Sequence, residues 1–185
     1  MLADGEETGT LDAWLSDRTR RVLDLCTGNG SLAVIAAMAY PEIDVDAADI
    51  SPEALALARI NVARHGLEGR IRVIESDLFA ALPGRYDLIL CNPPYVPEDS
   101  MRALPAEYRA EPALALAGGR DGMDLIRRIV AEAPDHLSDI GVLLLEVGHE
   151  RAGFEAAFPR LECAWLETSA GEDAVVLIER RALRS

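Results

Sequence analysis

Hydrophobic and polar positions along this chain fall into two alternating kinds of segment. Short apolar runs, each closed by Gly, Asp or Pro, read as strands: Arg21 to Cys26 (RVLDLC), which reads as buried, Ile43 to Ala48 ending at Asp49, Ile71 to Glu75, Tyr86 to Cys91 (YDLILC) and Gly141 to Val147 (GVLLLEV). Between them lie segments of helical character. Ser31 to Tyr40 predicts a helix capped by Ser31 and stopped before Pro41. Ser51-Pro52-Glu53 opens a second helix, with Pro in the first turn where its missing N–H costs nothing, and Gly66 stops it after His65. Asp121 to Leu137 predicts a long helix, bent or broken near Pro134, and Arg151 to Phe158 a shorter one.

Strand alternating with helix predicts a parallel sheet covered by helices on both faces. The last two strands, about Glu162 to Thr168 and Ala174 to Glu179, lie too close together for a crossover and should form an antiparallel hairpin. The predicted fold is therefore α/β: a seven-stranded, mostly parallel sheet with an antiparallel carboxyl-terminal hairpin. One domain is expected over residues 21–185, preceded by a short lead-in over residues 1–20 in which Leu11, Trp14 and Leu15 share one side of a helix. Residues 96–120, with three prolines and a Gly-Gly pair, read as a long functional loop.

In such a sheet ligands lie at the carboxyl ends of the strands, where the winding reverses. The first strand-to-helix turn, Thr27-Gly28-Asn29-Gly30, places two glycines where the backbone can approach a ligand and adopt positive φ. With Ala33 the spacing also fits the dinucleotide pattern GxGxxA, so the glycines alone do not separate a nicotinamide cofactor from other nucleotides. The carboxylates separate them. Asp24 stands where a pyrophosphate would have to go; it repels phosphate and suits a cationic ligand, such as the amino group and sulfonium of S-adenosylmethionine. Asp49 suits ribose hydroxyls, and Asp77 an adenine amino group. Each aspartate could instead be a plain cap or turn residue.

The tetrapeptide Asn92-Pro93-Pro94-Tyr95 follows the strand YDLILC at the same edge. Two prolines fix φ and remove two donors, leaving carbonyl acceptors on a rigid turn. An amide nitrogen is a poor nucleophile because its lone pair is delocalised. The Asn92 side-chain oxygen and the Pro93 carbonyl can hold both hydrogens of an NH2 group and aim that lone pair, while Tyr95 offers an aromatic face that tolerates a sulfonium.

Composition narrows the partners. Thirty-two acidic residues against eighteen basic ones give a net charge of −14, which disfavours direct nucleic acid binding and suits a basic protein substrate. All the basic residues are arginine, and no physical argument explains that. Three scattered cysteines and three histidines show no disulfide framework and no metal-ligand spacing, so no metal is expected. No apolar run reaches the ~18 residues that cross a bilayer, and the acidic start is unlike a secretory signal; no membrane partner and a cytoplasmic location are the default expectations.

From Arg21 to Leu183 the chain resembles the HemK-type protein glutamine methyltransferases. The resemblance is carried by VLDLCTGNG (Val22 to Gly30), ADISPEAL (Ala48 to Leu55), SDLF (Ser76 to Phe79), CNPPYV (Cys91 to Val96), EPALALAGGRDGMDLIRRI (Glu111 to Ile129) and EVG (Glu146 to Gly148). It implies a Rossmann-like class I methyltransferase fold and S-adenosylmethionine as cofactor, leaving S-adenosylhomocysteine. Cofactor contacts are implied for Asp24, Thr27, Gly28, Gly30, Asp49, Ile50, Asp77, Leu78 and Asn92. Substrate contacts are implied for Asn92, Pro93, Pro94 and Tyr95, with catalysis carried by Asn92, Pro93 and Tyr95. The segments LPAEYRAEP (Leu104 to Pro112) and AWLETSAGEDAVVL (Ala164 to Leu177) are most similar to the branch called PrmB, which methylates a glutamine of a ribosomal large-subunit protein. The alternatives are the sister branch acting on peptide release factors, an enzyme for the exocyclic amine of adenine or guanine in RNA or DNA, a nicotinamide-binding module, and a catalytically dead binding domain. Cys26 stands where many methyltransferases have the first glycine of the turn. Family members also carry a separate helical domain ahead of the catalytic one, of which residues 1–20 are read as a remnant.

Overall fold

The computed structural model describes residues 19–95, 121–168 and 171–184. The expected lead-in helix lies almost wholly outside the described residues, as does the stretch 96–120.

Seven strands build one sheet: β1 (Arg21–Leu25), β2 (Asp44–Asp49), β3 (Ile71–Glu75), β4 (Tyr86–Cys91), β5 (Leu137–Glu146), β6 (Ala164–Thr168) and β7 (Gly171–Glu179), in the order β3-β2-β1-β4-β5-β7-β6. The pairings among β1 to β5 are parallel, and β7 runs antiparallel to both β5 and β6. The hairpin was expected; that β7 inserts between β5 and β6 could not be read from spacing. The helices are α1 (Ser31–Ala39), α2 (Pro52–Arg64), α3 (Asp124–His136) and α4 (Arg151–Ala157). This is the Rossmann-like class I methyltransferase arrangement that the resemblance implied.

Alternation along the strands divides the core in two. Val22, Leu88, Val142 and Leu144 point to a layer closed by Ala33, Val34, Ala37 and Val62 of α1 and α2. Their neighbours Leu23, Ile89, Leu143 and Leu145 point to the other layer, closed by Ile126, Ile129 and Ala133 of α3 and Phe154 of α4. Both faces of the central strands are buried, which explains runs such as GVLLLEV with no polar alternation.

Three expectations need correction. Ser31 does not cap α1: Gly30 occupies the cap position at φ 82, without a side-chain cap bond, and Asn29 Oδ1 accepts from both the Ser31 N–H and its hydroxyl. No break occurs at Pro134, which lies inside α3 near its end, where its carbonyl accepts from Arg180 Nε at 2.9 Å. β5 begins at Leu137 rather than Gly141, because the β4–β5 register shifts between Tyr86 and Leu88. Gly141 is required at that irregularity, since a β carbon there would lie 2.8 Å from the Tyr86 carbonyl oxygen.

Polar groups at the amino edge of the sheet are paired among themselves. Buried Asp46 accepts from Arg72 at 2.8 and 3.0 Å and from the Tyr86 hydroxyl at 2.7 Å. Arg70 closes the carboxyl end of α1 through the Ala37, Tyr40 and Pro41 carbonyls. The opposite edge of the sheet is built differently.

Candidate active site

The chain winds from β1 outward to β3, then returns to start again at β4, so the winding reverses between β1 and β4. Their carboxyl ends stand side by side, with Leu25 paired to Cys91. Among the described residues only Cys26 (φ 60) and Leu78 (φ 48) adopt positive φ without being glycine. Both sit just past strands of this edge. Backbone strain of this kind persists where the surroundings over-determine it, commonly at functional sites. Leu78 is held by Ser76, whose hydroxyl donates to the Leu78 carbonyl at 2.6 Å and accepts from the Ala81 N–H at 3.0 Å.

Asp24 is fully buried near the end of β1. Its Oδ2 accepts from the Thr27 hydroxyl at 2.5 Å and the Ala33 N–H at 2.9 Å, so the carboxylate also serves an open donor of α1's first turn. Its Oδ1 is buried and has no partner among the described residues. Burial pushes the Asp24 carboxyl up to about 6, against the two hydrogen bonds that pull it down. A buried acceptor left open in this way fits a ligand that brings its own donor, and a positive charge with it.

The glycines divide the work between them. Gly28, at φ +56, has no atom of the described residues within 4 Å of where a β carbon would stand, so a ligand can approach its backbone closely. Gly30, at φ +82, is needed for packing: a β carbon would meet Ala58 at 3.1 and 3.2 Å, where α2 crosses the start of α1. Asp49 joins the cluster by accepting the Gly28 N–H at 2.9 Å through one oxygen and the Ser51 N–H at 2.9 Å through the other. Backbone bonds from Thr27 N–H to the Ala48 carbonyl and from Ser76 N–H to the Asp49 carbonyl stitch the ends of β1, β2 and β3 together. Asp24, Thr27, Gly28 and Asp49 therefore form one bonded unit.

Ile50 is half exposed and Leu78 buried beside this unit. Asp77 is exposed and paired with Arg128 of α3 at 3.1 Å. The sequence holds no sign of that partner, because nothing local relates residues so far apart.

Across the reversal, Asn92 is exposed at the mouth, Pro93 is buried, and Pro94 and Tyr95 are half-buried. Beneath the corner, Cys91 is buried, and burial first and its hydrogen-bonded neighbour Cys26 second push its thiol well up. Tyr95 hydrogen-bonds the carboxylate of Glu146, the last residue of β5; burial raises the Glu146 carboxyl and the tyrosine moderates the rise. A β carbon on Gly148 would come within 2.5 Å of the Tyr95 ring. The only sequence sign of these contacts was the EVG motif, for which the residues themselves suggested no role.

Solved structures of similar fold include a methyltransferase from Pyrococcus furiosus (TM-score 0.63, 17% identity, 88% of this chain and 75% of that one) and a ribosomal protein L11 methylase from Lactobacillus delbrueckii subsp. bulgaricus (TM-score 0.59, 22% identity, 88% and 70%). The fold is thus that of the class I methyltransferases. A family model described as the methyltransferase small domain matches residues 8–106, and the chain belongs to that family. Among curated relatives, the ribosomal protein uL3 glutamine methyltransferase of Bordetella pertussis is 54% identical over 178 residues, covering 95% of this chain and 60% of that protein. Its namesake from Neisseria meningitidis serogroup A is 48% identical over 185 residues, covering 99% and 59%. The chain therefore spans less than two thirds of the length of these relatives.

Proposed function

We propose that this chain is the catalytic part of a methyltransferase that uses S-adenosylmethionine to methylate a glutamine side-chain amide of a protein, the ribosomal protein uL3 being the foremost substrate. One observation carries the reading. The buried Asp24 oxygen that has no partner among the described residues and the acceptor corner at Asn92 lie at the ends of neighbouring strands, joined by the pairing of Leu25 with Cys91. The first suits a cationic group and the second an NH2 group.

S-adenosylmethionine, when bound, supplies a methyl group on positively charged sulfur. The residues present fit such a molecule. Asp24 Oδ1 would accept from its ammonium group, the open space at Gly28 admits its backbone-hugging chain, and Asp49 has lone pairs left for ribose hydroxyls. Leu78 would flank the adenine, with Asp77 and Ile50 at the rim. Asn92 Oδ1 and the Pro93 carbonyl would each accept one hydrogen of the glutamine NH2, turning its lone pair toward the methyl carbon. Tyr95 would close the amide plane. As the nitrogen gains its methyl it becomes strongly acidic and sheds a proton without a strong base. The rate then comes mainly from alignment, which can contribute on the order of 7–11 kcal/mol. A net charge of −14 favours encounter with a basic ribosomal protein.

The test is transfer of label from S-adenosylmethionine, offered separately to purified uL3, a peptide release factor and ribosomal RNA. Label on a glutamine of uL3 is expected. Asn92→Ala should lower that transfer by roughly 100-fold or more while leaving calorimetric affinity for S-adenosylhomocysteine within a factor of about two. Label in the RNA alone, or full activity of the variant, would overturn the assignment.

A further inference from the structure

The Asn-Pro-Pro-Tyr corner is anchored at both ends. At its start, Asn92 follows directly on Cys91, which pairs with Leu145, the residue before Glu146 in β5. At its other end, Tyr95 folds back onto that same strand end, where its hydroxyl meets the Glu146 carboxylate. Gly148, at φ +55, lies so close that an added β carbon would stand 2.5 to 2.8 Å from ring carbons and the hydroxyl of Tyr95. The backing is itself fixed: Val147 is fully buried and its N–H donates to the Ala174 carbonyl of β7 at 2.8 Å.

Two prolines lock φ, and each confines ψ of the residue before it, but ψ of Pro94 stays free. A Pro-Pro strut holds its carbonyls in one direction only if the residues on either side cannot swing. β4 fixes the first. We infer that Glu146 and Gly148 fix the second, clamping Tyr95 so that the Pro93 carbonyl and Asn92 stay aimed; Glu146 is thus a positioning residue for the methyl-accepting amide, acting through Tyr95. On this reading the tyrosine hydroxyl is committed to Glu146, and only the ring is offered to the substrate. The inference rests on the functional reading above and adds to it a residue outside the turn.

A double-mutant cycle on the full chain tests it, with uL3 as methyl acceptor. Glu146→Ala and Tyr95→Phe should each lower kcat/KM about tenfold, an alignment loss. The double variant should be no worse than either single. Glu146→Gln keeps an oxygen for the tyrosine hydroxyl and should retain most of the activity with an unshifted pH profile. Affinity for S-adenosylhomocysteine should stay unchanged throughout, which a merely unfolded site would not allow. An undiminished effect of Glu146→Ala in the Tyr95→Phe background would overturn the clamp, as would a Glu146→Gln variant as weak as Glu146→Ala. If Glu146→Ala does not fold, Tyr95→Phe and Glu146→Gln still decide, since loss in the first and retention in the second is the expected pair. Absence of glutamine methylation by the unmodified chain, with product binding intact, would overturn the functional reading and the clamp together. Methylation with an additive cycle would overturn the clamp alone.

Discussion

Replacing Asp24 by asparagine should move stability and cofactor affinity in opposite directions. Burial holds the Asp24 carboxyl at about 6 against an ordinary 3.8. Between those values the folded protein keeps a proton that the unfolded chain has released, so stability falls as pH rises through this window. Above about pH 6 the whole cost applies, roughly 3 kcal/mol at 1.36 kcal/mol per unit. In Asp24→Asn the side-chain amide removes the charge and still offers an oxygen to the Thr27 hydroxyl and the Ala33 N–H. Its NH2 would fall where Oδ1 now has no partner among the described residues, an unpaired donor costing about 1–2 kcal/mol. The ligand-free variant should therefore gain about 1–2 kcal/mol at pH 7, a rise in Tm of roughly 2–8 °C for a chain of this size. That gain should shrink steadily as the pH is lowered toward 4. Binding should respond the other way, because on the proposed reading a donor would then face the ammonium group in place of a counter-charge. Affinity for S-adenosylhomocysteine should fall roughly 100-fold or more, in line with about 3 kcal/mol for one half of a buried charge pair. Scanning calorimetry at pH 7 and 4.5 with titration calorimetry at pH 7 reads both effects. A variant that melts lower at pH 7 and binds as tightly as the parent would refute the argument on both counts.

The remaining predictions concern the same edge of the sheet. On the proposed role of ionised Asp24 as receiver of the ammonium group, affinity for S-adenosylhomocysteine in the unmodified chain should hold steady above about pH 6 and fall below it, approaching tenfold per unit; a flat titration down to pH 5 would contradict this. Gly30→Ala places a β carbon 3.1 Å from that of Ala58 at φ +82 and should destabilise the protein by about 1–3 kcal/mol, measured by urea unfolding. Gly28→Ala meets no atom of the described residues within 4 Å, so it should cost only the backbone strain of about 1–2 kcal/mol yet weaken product binding more than Gly30→Ala does. Equal binding by the two variants would remove the distinction drawn between these glycines.

Much of this was legible in the sequence, for physical reasons that differ by element. β1 and β4 were readable because central parallel strands are buried on both faces and show as short apolar runs; β3, at the sheet edge and only partly buried, was readable from its β-branched residues Ile71, Val73 and Ile74. α2 was readable because Ser51 and Pro52 mark its start, and Ser51 indeed accepts from the Ala54 N–H at 3.2 Å. Ser31 misled because a hydroxyl at a helix start usually caps it, whereas here Asp24, from the preceding strand, already takes an amide of that first turn. The start of β5 was missed because a register shift carries no local signature beyond Gly141, and the place of β7 depends on which strand edge is free. At the site, Asp24, Gly28, Asp49 and the Asn92 corner could be named from chemistry and position. Arg128 and Glu146 could not, since each meets its partner only through the fold.

The central claim is that a cation-receiving carboxylate and an amide-gripping corner face one ligand space across β1 and β4. A crystal of the chain grown with S-adenosylhomocysteine and a glutamine-containing uL3 peptide tests it most directly. The product's ammonium group should lie within hydrogen-bonding reach of Asp24 Oδ1, and the glutamine nitrogen should be held by Asn92 and the Pro93 carbonyl. Product bound away from Asp24, or a glutamine side chain that never reaches Asn92, would contradict the account.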